Sequence, residues 1–271
     1  MPELPEVETI AQELCPLILG QRIDDVVVFD PRLVAAVSPE LIGGQLRGRT
    51  VASVERRGKY LVLGLSGSRW LLLHLRMTGR LLVSLGQSPP HGRAVLLFSN
   101  GLQVAFSDRR RLGTVRVVED PGPILDKLGP DPLGADFTPD VLSRQLARHH
   151  IPIKAALLDQ HIVSGMGNMY ADEALFAARI HPLEPAHVLS LQAINRLHRA
   201  MLSVLRQAIG GKGASIDSYV RPGGELGSAH LSFKVAHRLG EPCPVCGTSI
   251  ERVQIRKRSA YFCPKCQPQK R

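Results

Sequence analysis

The chain has 271 residues, 44% of them hydrophobic and 21% charged, and a formal net charge of +10. These values give enough apolar side chain for a packed core in one or two domains and exclude disorder over most of the length. No run approaches the roughly 18 apolar residues of a membrane span, and the acidic N-terminus is unlike a secretory signal, so a soluble cytoplasmic protein is predicted.

The first predicted element is a helix that opens at Leu4-Pro5-Glu6-Val7-Glu8 and ends near Gly20. Pro5 suits the first helical position, Glu6 and Glu8 complement the helix dipole, and Val7, Ile10, Ala11, Leu14 and Ile18 share one face. From Ile23 to Val118 the pattern changes to short β-type runs: Asp25 to Phe29, Thr50 to Val54, Tyr60 to Leu65, Trp70 to Leu75, Leu81 to Val83, Ala94 to Phe98, Leu102 to Phe106 and Thr114 to Val118. Turns at Ser66-Gly67, Gly79 and Asn100-Gly101 separate several of them. Strands at this spacing with no interleaved helix predict a β-sandwich or barrel rather than a parallel α/β sheet.

Asp120-Pro121-Gly122-Pro123 and Gly129-Pro130-Asp131-Pro132 punctuate the chain, and strand patterns cease beyond them. Residues 1–130 are therefore read as one domain, 131–232 as a helical domain and 233–271 as a terminal module. Helices are predicted from Thr138-Pro139 to about His149, from Lys154 to Leu158, from Asn168 to Ala178 and from Ser190 to Ile209. Gly210-Gly211-Lys212-Gly213 stops the last of these, and Pro222-Gly223-Gly224 with Gly227-Ser228 gives the following segment the look of a mobile loop. There is no internal repeat.

The charge surplus is concentrated at the end: residues 232–271 hold 9 basic and 2 acidic side chains. The same stretch carries Cys243-x2-Cys246-x16-Cys263-x2-Cys266, in which each close pair can place two thiolates on one ion and the two pairs complete a tetrahedral S4 site. One structural Zn²⁺ is predicted, stapling a β-hairpin with Arg256-Lys257-Arg258 near its tip. A basic metal-stapled module points to nucleic acid, against the alternative that a basic tail merely aids solubility. Cys15 has no partner spacing and receives no role.

Met1 before Pro2 is a context from which the initiator is removed, which would leave the secondary amine of Pro2 as a nucleophile. At a reference pKa near 7.8 about 10 to 15% of an α-amine is neutral at pH 7, against about 0.04% of a lysine, a difference of a few hundredfold. Chain connectivity keeps Glu3 beside that amine as an acid or base, while Glu6 and Glu8 read as dressing of a helix start. Ser164-Gly165-Met166-Gly167-Asn168 is a glycine-rich turn entering a helix, open to reading as an ordinary tight turn or as a phosphate site with Asn168 as an added donor. Arg56-Arg57-Gly58-Lys59 and Asp108-Arg109-Arg110-Arg111 add positive charge at a strand boundary and in a loop, as solvated surface or as DNA contacts.

Taken together, Met1-Pro2-Glu3-Leu4-Pro5-Glu6-Val7-Glu8-Thr9, Arg57-Gly58-Lys59-Tyr60-Leu61, His74-Leu75-Arg76-Met77-Thr78-Gly79, Gly167-Asn168-Met169-Tyr170-Ala171-Asp172-Glu173 and the cysteine module resemble the bacterial formamidopyrimidine-DNA glycosylases, in order over the whole chain. The resemblance implies an α+β multidomain fold: a β-sandwich with an N-terminal helix, a helical domain containing a helix-two-turn-helix motif, and a β-hairpin zinc finger. It implies a monomer that acts on damaged double-stranded DNA, associated with the nucleoid, flipping an oxidised purine, cleaving its glycosidic bond and nicking the strand by β,δ-elimination.

In that family the N-terminal proline forms a Schiff base and the next glutamate is the acid/base, which map onto Pro2 and Glu3. Lys59, Asn168 and Arg258 match residues that grip phosphates, Lys59 within the catalytic set and Arg258 also as proton donor for elimination. His74 matches a backbone-contacting histidine, and Lys154 a lysine near the damaged base. Met77, Arg110 and Leu112 match the group that fills the hole left by the flipped base, although phenylalanine is usual where Leu112 stands. Arg109 replaces the usual proline, Ala236-His237-Arg238 replaces a tyrosine-glycine-arginine, and the later part of 213–231 diverges from the loop thought to close over the base. Two rivals remain: the related endonuclease VIII type, with oxidised pyrimidines as substrates, and a DNA-binding protein without enzymatic activity.

Overall fold

The computed structural model describes residues 1–34, 38–85 and 92–269. The chain opens with helix α1 (Leu4–Ile18), capped at Glu3, whose backbone N–H donates to Glu6 Oε2 at 2.7 Å. Leu4, Val7, Ile10, Ala11, Leu14 and Ile18 are buried, at the three- and four-residue spacing of one helical face.

Eight strands follow: β1 (Ile23–Val28), β2 (Val51–Arg57), β3 (Tyr60–Leu65), β4 (Arg69–His74), β5 (Gly79–Ser84), β6 (Gly92–Phe98), β7 (Gln103–Asp108) and β8 (Thr114–Val118). They form two four-stranded antiparallel sheets, ordered β1-β6-β7-β5 and β2-β3-β4-β8. One core joins them: Leu61, Leu63, Leu71 and Leu73 from one sheet meet Leu81, Leu96, Val104 and Phe106 from the other. The alternation in these strands sends every second side chain inward, and two sheets sharing one core make the predicted sandwich.

The expectation that no helix interrupts the strands fails at one place. Helix α2 (Pro39–Leu46) lies between β1 and β2, with Ser38 Oγ accepting from Leu41 N at 3.3 Å and Ile42 and Leu46 buried. The signal was present as a capping serine followed by Pro39-Glu40, but eight residues hold too few turns for periodicity to announce them.

Beyond β8 come α3 (Gly122–Leu125), α4 (Pro139–Leu146), α5 (Ile153–Leu158), α6 (Asn168–Ala178) and α7 (Leu191–Gly210), then the hairpin β9 (Glu251–Ile255) and β10 (Arg258–Phe262). Thr138 caps α4 through its hydroxyl, which accepts from Val141 N; the helix ends three residues before the predicted His149. Between α5 and α6 the chain makes two turns, held by Ile162 N and Val163 N donating to Asp159 O and by Gly165 N donating to Gln160 Oε1. This is the helix-two-turn-helix arrangement.

The chain forms two compact units, one of residues 1–125 with 208–230 and one of 126–207 with 231–271. The stretch 213–230, which the sequence presents as a mobile loop, is irregular but tied into the first unit. Ala214 N donates to Glu6 Oε1 at 2.8 Å, Arg221 pairs with Glu13, Val83 N donates to Pro222 O, and Tyr219 is buried in the sandwich core. Gly213 has φ +79, and a Cβ there would stand 2.8 Å from the Tyr219 ring, so only glycine fits.

Candidate functional site

In the first unit Pro2 and Glu3 are both buried, immediately ahead of α1. Glu6, read from sequence as helix dressing, does more: one carboxylate oxygen takes the Glu3 N–H and the other the Ala214 N–H, so it ties the catalytic candidates to the 213–230 segment. That second partner lies 208 residues away, and no local pattern announces it.

Lys59 occupies the two-residue turn between β2 and β3, after Gly58 at φ +58, and is buried to 7% exposure. The adjacent Tyr60 pairs in register with His74, their rings edge to face at 4.7 Å. His74 Nδ1 accepts from Arg76 N at 3.1 Å, which leaves the ring proton on Nε2 as a donor. Burial, assisted by the positive charges of Arg76 and Lys59, lowers the His74 pKa to about 3. The ring is therefore neutral at physiological pH.

Met77 and Arg110 come from different turns and meet: Arg110 Nη1 lies 3.0 Å from Met77 Sδ. Met77 is 41% exposed and Leu112 44%, so both present apolar surface to solvent, as side chains that enter a base stack must. Asp108 organises their platform. Its carboxylate accepts from the Thr78 hydroxyl and from the backbone N–H groups of Arg110, Leu112 and Gly113, and its own carbonyl accepts from Arg93 Nε. Asp108 was legible as part of a charged run but not as the buried hub of it, because its partners are backbone groups that sequence does not display. Ser218 Oγ adds a bond to Met77 O at 3.0 Å.

In the second unit Asn168 begins α6, and its Oδ1 is buried without a hydrogen-bond partner among the described residues. Arg258 begins β10 and is exposed, next to a two-residue turn in which Arg256 and Lys257 have φ +47 and +63. Such a turn normally recruits Asn or Gly, and holding two long basic residues there costs roughly 1–2 kcal/mol each.

Lys154, which the resemblance matches to a lysine near the damaged base, lies on α5 of the second unit. It is fully buried, its Nζ 2.7 Å from Asp172 Oδ1 and donating to Ser259 O at 2.6 Å. The ammonium has no exposed surface and is held by a carboxylate and a backbone carbonyl of the same unit. Burial raises the Asp172 pKa to about 7, against the opposing pull of Lys154. Beside it, burial also raises Glu173, whose carboxylate accepts from Lys234 N, Val235 N and Ala236 N. Neither acid was singled out from sequence; two adjacent carboxylates inside an otherwise apolar helix were the available signal.

The four cysteines converge as their spacing predicts. Their sulfurs all lie within 4.8 Å of one another, with Cys243–Cys266 at 3.9 Å and Cys246–Cys263 at 3.4 Å. A tetrahedron with Zn–S bonds of about 2.3 Å has sulfurs about 3.8 Å apart, so the set fits zinc. Hydrogen bonding from Thr248 lowers Cys246 to about 6, whereas burial and the neighbouring thiols push Cys266 up to about 12. Four thiolates this close require a dication among them. A four-sulfur site leaves no open position, so the ion is structural. Among the described residues, no helix is long and apolar enough to cross a membrane.

Three family models match successive parts of the chain: the formamidopyrimidine-DNA glycosylase N-terminal domain over residues 1–115, the formamidopyrimidine-DNA glycosylase H2TH domain over 128–219, and the zinc finger found in FPG and IleRS over 240–269. The chain is 43% identical to a formamidopyrimidine-DNA glycosylase of Chloroflexus aurantiacus, with 98% of each chain covered. It is 45% identical to one of Moorella thermoacetica, covering 94% of this chain and 95% of that one. Among solved structures, the Fpg protein of Thermus thermophilus superposes with a TM-score of 0.90 at 40% identity over all of both chains. A complex of Lactococcus lactis Fpg with DNA containing an abasic site gives 0.91 at 33% identity, covering 98% of this chain and 100% of that one.

Proposed function

Because the chain belongs to the formamidopyrimidine-DNA glycosylase family, we propose that it excises oxidised purines, 8-oxoguanine and formamidopyrimidines, from duplex DNA and then cleaves the strand by β,δ-elimination. DNA glycosylase activity in repair is the family's property. The covalent route and the residues that carry it are our reading.

With Met1 removed, the Pro2 nitrogen attacks the sugar C1′ as the glycosidic bond breaks and the base departs with a proton. Glu3 then delivers a proton to the ring oxygen as the C1′–O4′ bond opens, leaving an iminium between Pro2 and C1′. The iminium acidifies C2′; loss of that proton expels the 3′ phosphate, and a second elimination expels the 5′ phosphate. Hydrolysis frees the amine. The observation that supports this route is the burial of Pro2 and Glu3 together at the positive end of α1, where the helix dipole favours both a carboxylate and a neutral amine.

Lys59, Asn168 and Arg258 grip phosphates around the flipped nucleotide, with Arg258 donating to the departing phosphate oxygen. His74 donates from Nε2 to the backbone, and Met77, Arg110 and Leu112 occupy the space the base leaves. Residues 1–130 carry the nucleophile and its acid, with 208–230 packed on them; the helices within 131–207 carry the helix-two-turn-helix contacts, and 233–271 the zinc hairpin. The enzyme works as a monomer on DNA in the cytoplasm.

The test is borohydride trapping on a duplex with one 8-oxoguanine opposite cytosine, with the crosslinked peptide mapped. An adduct at Pro2 is expected; an adduct on a lysine would refute the nucleophile. Preferential cleavage of a thymine glycol duplex would instead assign the endonuclease VIII specificity.

A further inference from the structure

The ion pair between Lys154 and Asp172 has no part in the chemistry above, yet it is among the most buried charged groups of the chain, at 0% and 1% exposure. Its partners define what it joins. Lys154 lies on α5, Asp172 on α6, and the third contact, Ser259 O, on β10. Ser259 directly follows Arg258, and Asp172 stands one helical turn beyond Asn168, on the same face of α6. The apolar contacts around this point, Ala155 against Ile255 and Ala260 with Ile151, Leu183 and Val253 packed on them, hold the elements together but are not directional. The charged contacts are directional, because a hydrogen bond constrains angle and distance where an apolar contact does not.

We infer that Lys154 and Asp172 are positioning residues that hold Arg258 of the zinc hairpin at a set distance from Asn168, and so fix the spacing of the two phosphate-gripping side chains of the second unit. Glu173 secures the entry to the same module by taking the N–H groups of residues 234–236. Helix α6 thus anchors the zinc module at its root through one acid and at its reading strand through the other. This inference rests on the proposed role of Arg258 as a phosphate ligand.

The experiment compares Lys154→Met, Asp172→Asn, Arg258→Ala and the Lys154→Met/Arg258→Ala double variant, each as the full zinc-loaded chain. The probe is a duplex carrying a tetrahydrofuran site, which has no base for a lysine to touch. Lys154→Met and Asp172→Asn are each expected to weaken binding roughly tenfold, the weight of one charge-assisted contact. Each is also expected to reduce the log-log salt slope by about 0.9, one phosphate's worth. The double variant should bind no more weakly than Arg258→Ala alone, since positioning a missing residue has no value.

Additive losses in the double variant would overturn the inference by showing that Lys154 meets DNA itself. So would normal tetrahydrofuran affinity with impaired 8-oxoguanine excision, which is the signature of a base contact. An unchanged salt slope in Arg258→Ala would refute the phosphate role of Arg258 instead, and is read separately. If Lys154→Met loses zinc or fails to fold, the apolar pair Lys154→Met/Asp172→Leu removes both charges without stranding either. It must show the same loss of slope at one zinc per chain, and wild-type binding by it would sink the inference.

Discussion

At His74 a single side chain links fold stability to pH. Its pKa falls to about 3 in the fold, from an ordinary value near 6.5, because burial and two neighbouring cations oppose a charge there. Between these values the unfolded chain binds the proton and the folded chain does not, so this contribution is complete above about pH 6.5 and is lost as pH falls toward 3. Thermal unfolding followed from pH 7 to pH 4 should therefore decline more steeply for the wild type than for His74→Gln; parallel curves would contradict the assignment. At Glu3 the expected effect is on chemistry. Glu3→Gln should slow base excision by roughly 10²–10⁴-fold, the weight of a general acid, while the melting temperature stays near that of the wild type. A variant that excises at the normal rate would remove Glu3 from the mechanism. Both residues are candidates from sequence, Glu3 by its place beside the terminal amine and His74 by the family resemblance. Their protonation is not legible there, because it depends on neighbours brought in by the sheet.

Among the elements, the turn after β7 and the zinc hairpin depend on unlike devices. The first is held by one buried carboxylate that gathers three backbone N–H groups. Asp108→Asn puts an amide N–H where an acceptor is required, so urea unfolding should show a loss of about 1–3 kcal/mol; an unchanged midpoint would mean the turn is held by other contacts. The hairpin has few buried apolar residues of its own and depends on its ion. Cys246→Ser should abolish zinc stoichiometry and weaken binding to duplex DNA together, measured by metal analysis and fluorescence anisotropy. Undiminished affinity in a metal-free variant would separate the hairpin from recognition. The cysteine spacing disclosed this element in full, since four ligands at fixed intervals admit few geometries. Helix α2 gives no sequence signal of its own length because its two buried apolar side chains, Ile42 and Leu46, make too short a pattern.

For the molecule as a whole, the basic charge is expected to drive duplex binding and salt to weaken it. On the proposed phosphate contacts of Lys59 and Arg258, a chain of net +10 should lose duplex affinity linearly in log-log form, by about 0.9 for each phosphate charge it neutralises. Titrations between 50 and 200 mM salt, about the range over which such losses become large, would give that slope. A flat response would argue that basic residues serve solubility rather than binding. Only three-dimensional folding returns residues 208–230 to the first unit, after the chain has passed through residues 126–207 of the second.

By itself the sequence determined the classes of element and the zinc ligands, because these rest on local periodicity or on fixed spacing along the chain, and it put forward Pro2 and Glu3 as candidates for the chemistry. The tertiary structure alone decided that Glu6 reaches Ala214, that Asp108 is a hub, and that Lys154 is spent on Asp172 and Ser259. These are contacts of charged groups with distant partners, and burial makes them strong only after the core has closed around them. A one-dimensional pattern carries the charge of such a residue but not its surroundings, and the surroundings decide whether it faces DNA or holds the protein together.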